Sequence, residues 1–297
     1  METLDRFRGC LLGLAVGDAV GATVEFRPRG SFPPVTDMLG QGPFQLQPGQ
    51  WTDDTSMALC LAASLVETGR FDALDQMRRY CAWQDHGYLS STGACFDIGA
   101  TVRQALQRFR NTGDPFSGST RPDTAGNGSI MRLAPVPMRY FPDQAQAAHY
   151  AAESSRTTHG AAECLDACRW LAIVLVRALS GWDKERVLFE PSPVPLETPS
   201  IRRISAGEYR RKSADAIRGS GYVVESLEAA LWCFWTTATF EAAILAAANL
   251  GDDADTTAAI CGQVAGAHYG EPGLPDRWLA RLAQRDMIRD LAARLKP

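Results

Sequence analysis

The chain has 297 residues, of which 45% are hydrophobic and 22% charged, with a formal net charge of −4. That is the composition of an ordinary globular protein with a sizeable core. The mild acidity and the lack of a basic patch exclude the electrostatic footprint of a nucleic-acid binder. No run approaches the roughly eighteen uninterrupted apolar residues of a membrane helix, so no membrane partner is expected. Eight cysteines are scattered through apolar stretches, and none forms a C-x-x-C pair. This pattern predicts buried thiols and a reducing, cytoplasmic setting rather than a disulfide framework. Cys164 and Cys168, close in sequence to His159, have the i,i+4 spacing of an apolar helix face, which favours packed thiols over a metal site.

In chain order, residues 4–22 read as a helix with Leu4, Phe7, Leu11, Leu14 and Ala15 on one stripe. Gly9, Gly13, Gly17 and Gly21 recur every four residues within it. Each glycine costs about 1 kcal/mol in a helix interior, so four on one face imply a close-packed partner. Asp18 lies one step off that face, and its carboxylate is open to two readings, functional acid or cap. Residues 27–50 are a Gly- and Pro-rich loop. Helices are predicted over 53–67, 71–84, 100–109, 143–155, 160–180, 223–236, 240–249, 255–269 and 276–296, with a proline-broken helical stretch from Ser129. Ala258, Gly262 and Gly266 make a second small-residue face. Residues 190–207, rich in proline, read as an exposed, linker-like excursion from a single domain over 1–297. Period-two alternation is nearly absent. The expected fold class is all-α, a compact single-domain many-helix bundle.

Two acidic segments stand about two hundred residues apart. Thr52-Asp53-Asp54 and Asp253-Ala254-Asp255-Thr256 each run into a helix. Asp and Thr are good N-caps, and for either segment alone capping is a sufficient account. Together they hold more acid than two caps need. Brought together, they would form an all-oxygen donor set that suits Mg²⁺ or Mn²⁺ better than Zn²⁺. Gly126-Asn127-Gly128-Ser129 is a small loop whose N–H groups could cup an anion, although an Asn-Gly turn explains it equally well. Asp97 stands alone before a glycine. His159 begins a helix, and Tyr222 lies at a loop tip where a ring could stack on a base or simply anchor the next helix.

The ordered set of motifs resembles the ADP-ribosylglycohydrolase family. The matching pieces are Gly13 to Gly21 with Glu25, Thr52-Asp53-Asp54-Thr55, Asp97-Ile98-Gly99, and Gly126-Asn127-Gly128-Ser129-Ile130-Met131-Arg132. They continue with Thr158-His159, Gly221-Tyr222-Val223, and Asp253 to Thr256 with Gly262 to Gly270. The resemblance implies an all-α fold and two Mg²⁺ or Mn²⁺ ions held by Thr52, Asp53, Asp54, Asp253, Asp255 and Thr256. It implies hydrolysis of the glycosidic bond between C1″ of ADP-ribose and an acceptor, with an ADP-ribosylated protein as substrate and ADP-ribose as product. Asp97 is then the expected acid/base, with Glu25 at the mouth and Asp54 among the catalytic acids. Gly126, Asn127, Gly128, Ser129 and His159 would hold the diphosphate, and Tyr222 would stack along the adenosine. Arginine is the expected acceptor. Another linkage, such as serine, or an ADP-ribose-binding or toxin-neutralising protein without turnover, are the alternatives. Several relatives carry Gly-Gly-Asp where this chain reads Gly251-Asp252-Asp253, and Asp252 is expected to face outward.

Overall fold

Helix α1 (Thr3–Gly21) runs through the core and is followed by α2 (Asp53–Thr68), α3 (Ala73–His86) and α4 (Ala100–Thr112). Then come α5 (Pro135–Arg139), α6 (Gln144–Arg156), α7 (Ala162–Leu179), α8 (Lys184–Phe189) and α9 (Pro199–Ser205). The chain closes with α10 (Val223–Thr236), α11 (Phe240–Ala248), α12 (Ala254–Tyr269), α13 (Asp276–Arg281) and α14 (Arg285–Leu295). This computed structural model describes residues 1–297. It is 62% helical and has no sheet, only isolated bridges, so the all-α expectation holds.

The two small-residue faces find each other. α1 packs antiparallel on α12, with Gly9 against Gly266, Gly13 against Gly262, Gly17 against Ala258 and Gly21 against Ala254. A Cβ on Gly262 would stand 2.0 Å from the Gly13 carbonyl oxygen, and one on Gly17 would stand 2.1 Å from that of Ala258. No side chain fits there, so the backbones touch, and this contact offsets the helix cost of the glycines. The antiparallel pairing brings the end of α1 to the start of α12. By length and composition Thr3–Val24 could span a membrane, but 89% of its apolar window is buried inside this fold.

A second, smaller core holds Met57, Cys60, Met77, Tyr80, Trp83, Val102, Leu106 and Met131 between α2, α3 and α4. It supports the loop 95–99, which carries Asp97. All eight cysteines are free thiols, with only Cys81 and Cys95 less than fully buried. Cys164 Sγ donates to Gly126 O and Cys168 Sγ to Ser129 Oγ, both at 3.4 Å, so these thiols prop up the 126–129 loop from below.

Two expectations are corrected. Residues 190–207 are not a free excursion. They include α9 and bury Leu196, Ile201 and Ile204. The buried Asp166 carboxylate gathers them, accepting from Glu197 N at 2.7 Å, Thr198 N at 2.6 Å and Thr198 Oγ1 at 2.9 Å. The tail is two helices rather than one. Between them Ala283 donates its N–H to Gly49 O and accepts from Trp51 Nε1, and Gln284 takes a left-handed φ of 54°. These contacts to a distant loop compete successfully with continuation of the helix.

Candidate active site

The starts of α2 and α12 lie side by side, yet neither N-cap residue caps its own helix with its side chain. Thr52 and Asp253 occupy the N-cap positions and make no side-chain bond to the N–H groups that follow. The caps come from elsewhere in the chain. Asp18 of α1 accepts from Thr52 N at 2.9 Å, Thr55 N at 3.0 Å, Thr52 Oγ1 at 2.9 Å and Thr55 Oγ1 at 2.6 Å. Glu25, just past α1, accepts through one oxygen from Ala254 N at 2.8 Å and Asp255 N at 3.2 Å. These bonds satisfy the Thr55, Ala254 and Asp255 N–H groups, with Thr256 N taken by Asp255 Oδ1 at 2.6 Å, and most of the segments' own carboxylate oxygens are left for other work. The sequence left Asp18 open, and the structure makes it a cap.

The freed groups converge. Thr52 Oγ1 lies 3.4 Å from Asp54 Oδ2 and 3.3 Å from Asp255 Oδ2, and Thr256 Oγ1 lies 3.3 Å from Asp54 Oδ2. Glu25, Asp253 and Asp255 each offer an oxygen within 4.8 Å of the others, a geometry that can hold a metal ion. Asp97, at φ 60°, reaches Asp255. Asn127 Nδ2 clamps Asp253 Oδ2 at 2.7 Å and also reaches Ser226 Oγ at 3.1 Å.

The electrostatics are one-sided, because none of these acids forms an ion pair. Burial, reinforced by neighbouring carboxylates, lifts Asp53, Asp54 and Asp255 well above the usual range. Burial and the Asp253 charge push Glu25 up to about 8. Burial takes Asp97 to about 7, with the Asp18 and Asp253 charges adding to it. Burial also raises Asp18 to about 6 against the pull of its four hydrogen bonds, and raises Asp253. Asp54 Oδ1 is buried with no partner at all. An orphaned carboxylate oxygen in a nest of like charges, with no nitrogen or sulfur donor in the set, fits a hard divalent cation.

Above this cluster opens a cleft of about 1030 Å³. Glu25, Asp53, Asp97, Asp253, Asp255 and Thr256 line it, as do Gly126, Asn127, Gly128 and His159. Thr52 and Asp54 lie beneath it, fully buried. Two predicted residues are placed differently. Ser129 is buried under the loop with its hydroxyl against Cys168, and it does not line the cleft. Tyr222 stands beside the rim rather than in it. The residue is 40% exposed and its hydroxyl donates to Glu163 at 2.6 Å. Backbone bonds Asn127 N to Gly221 O and Val223 N to Ala125 O tie its loop to the 126–129 loop.

Phe26 and Asp252 were not predicted to line the cleft. Both take left-handed φ, 61° and 57°, and Phe26 N donates to Asp252 O at 2.8 Å. Aspartate tolerates the left-handed region better than most residues, which suits it to the Asp252 position. Asp252 is exposed, as expected, but it faces the cleft mouth.

The sequence model for ADP-ribosylglycohydrolase matches residues 1–297. ADP-ribosylarginine hydrolase Tri1 of Serratia proteamaculans is 46% identical over 99% of this chain and 80% of its own length. The Tri1 of Pseudomonas putida is 48% identical, over 99% and 78%. The ADP-ribosyl-[dinitrogen reductase] glycohydrolase of Rhodospirillum rubrum is 32% identical over 98% and 96%. A solved structure described as an ADP-ribosylglycohydrolase-related protein complex superposes with a TM-score of 0.86 at 44% identity, covering 99% of this chain and 98% of that one. With a whole-length family match, and with two acidic helix starts relieved of their caps around one cleft, this chain belongs to the ADP-ribosylglycohydrolase family of hydrolases.

Proposed function

We propose that this enzyme removes ADP-ribose from modified protein arginine by hydrolysing the bond between C1″ of the distal ribose and a guanidinium nitrogen. The meeting of Asp53, Asp54, Asp253 and Asp255 beside Asn127 and His159 in one cleft carries the reading. The acceptor rests on the two Tri1 relatives, named ADP-ribosylarginine hydrolases. A cleft without an ion-paired acid also suits a cationic acceptor.

Two Mg²⁺ or Mn²⁺ ions complete the proposal, held by Thr52, Asp53, Asp54, Asp253, Asp255 and Thr256, with Glu25 as a further oxygen donor. The orphaned Asp54 oxygen and the Glu25–Asp253–Asp255 triad support this. Bound there, the ions would supply positive charge to the acid cluster and orient ribose hydroxyls.

The chain's own groups do the rest. Gly128 N, left over because Gly126 N and Asn127 N are bonded to Thr124 O and Gly221 O, and His159 hold the diphosphate, and Tyr222 offers a ring at the adenosine end. Glu25, buried in the cleft wall, orients the acceptor. Asp97, raised to about 7, is matched to proton transfer near neutrality. It takes a proton from the attacking water as the C1″–N bond breaks and passes that proton to the departing guanidine nitrogen. The hydroxyl remains on C1″ of ADP-ribose. Release of ADP-ribose from arginine-modified and serine-modified protein, with and without Mg²⁺, tests this. Ion-dependent release from arginine is expected, and release only from serine overturns the acceptor.

A further inference from the structure

Arg132 is 1% exposed and makes no ion pair. Its Nη2 donates to Thr158 Oγ1 at 2.6 Å, its Nη1 reaches only Met57 Sδ at 3.7 Å, and its Nε has no partner. The guanidinium lies 4.7 Å from the Tyr80 ring centroid, a contact that offsets part of its desolvation. A buried cation left without a carboxylate is costly, so a function is the natural place to look for its use.

The chain of contacts leads to the cleft. Thr158 is fully buried, and its hydroxyl has two partners, Arg132 Nη2 and His159 Nδ1, the latter at 2.8 Å. Arginine only donates, so the single hydroxyl hydrogen has one acceptor available, His159 Nδ1. The opposite tautomer would strand that hydrogen in a buried site. The imidazole proton is therefore on Nε2. Burial and the Arg132 charge keep the ring neutral, with its pKa lowered to about 3. Nε2 has no partner within the protein, and His159 is 2% exposed with its edge on the cleft. A Cβ on Gly128 would stand 3.1 Å from Nε2, so the loop must be glycine there to leave the edge open.

We propose that Arg132 and Thr158 are positioning residues that lock His159 in its Nε2–H tautomer, presenting a fixed, neutral donor to the diphosphate of the ADP-ribosyl group. The identity of the anion rests on the functional reading above, whereas the tautomer does not. Arg132 adds a positive field behind the donor without entering the cleft itself.

The test is ¹⁵N NMR of histidine-labelled protein, whose four histidines are simple to resolve, with His159→Gln to assign the signal. It is paired with calorimetry of ADP-ribose in Mg²⁺. Wild type is expected to show Nδ1 bare and Nε2 protonated. Thr158→Val, close in volume, is expected to lose the single tautomer and weaken ADP-ribose about ten- to a hundredfold. Thr158→Ser is expected to keep both properties. A proton on Nδ1 in wild type overturns the proposal, as does a Thr158→Val protein with unchanged tautomer and affinity. Wild type that shows the Nε2–H tautomer but binds no ADP-ribose overturns the assigned anion and the functional reading together, and supports the lock.

Discussion

Asp18 closes the amino end of a helix it does not belong to, with Thr55 giving it both its N–H at 3.0 Å and its hydroxyl at 2.6 Å. Removing that carboxylate strands two backbone N–H groups in a buried place. Asp18→Ala is expected to cost about 2–5 kcal/mol, with Asp18→Asn milder because its amide oxygen still accepts. Urea unfolding measures both. A loss under about 1 kcal/mol would mean that the cap is dispensable.

The shared acidity of the site makes stability depend on pH in a defined direction. Asp18 is raised to about 6, Asp97 to about 7 and Glu25 to about 8, burial being the first cause in each. Each binds its proton more tightly folded than unfolded. Between about pH 4 and pH 8 the folded chain holds more protons, so its unfolding free energy falls as pH rises. EDTA-treated protein is expected to be more stable near pH 5 than near pH 8, and saturating Mg²⁺ to flatten that slope. Urea midpoints at the two pH values, with and without the ion, decide it.

Asp54→Asn separates the two halves of the metal proposal. It relieves repulsion among buried carboxylates, so the EDTA-treated variant should be at least as stable as wild type. It also removes an oxygen donor, so the gain from ion should shrink from about 2.7 kcal/mol at a hundred times Kd toward zero. A variant that keeps the full ion-dependent gain in a thermal melt would argue against Asp54 as a ligand.

Asp97→Asn should leave ADP-ribose affinity nearly intact while lowering kcat by about 10²–10⁴-fold. Single-turnover kinetics on arginine-modified protein reads this. An unchanged rate removes Asp97 from proton transfer.

Gly262→Ala places a methyl 2.0 Å from the Gly13 carbonyl oxygen, where only backbone movement can relieve the clash. A loss of about 3 kcal/mol or more is expected. Because α1 and α12 carry Asp18 and Asp255, ion affinity should fall with it. Calorimetric titration with Mn²⁺ checks the second effect.

The amino-acid sequence by itself determined most of the long helices, their small-residue faces and the two acidic starts. These are local signals: a period of 3.6, a glycine every fourth residue, carboxylates where apolar stretches begin. Helix α12, expected from 255 to 269, runs Ala254–Tyr269 for that reason. Tertiary structure decided what the acids are free to do. A cap on α2 drawn from 34 residues away, and one on α12 from 229 residues away, leave no local trace. The same holds for the break at Ala283, for Asp166 gathering the 197–198 backbone, for Ser129 turned toward Cys168, and for Tyr222 held by Glu163. Each depends on which distant donor meets which acceptor after α1 and α12 have closed backbone to backbone, a competition that periodicity cannot register.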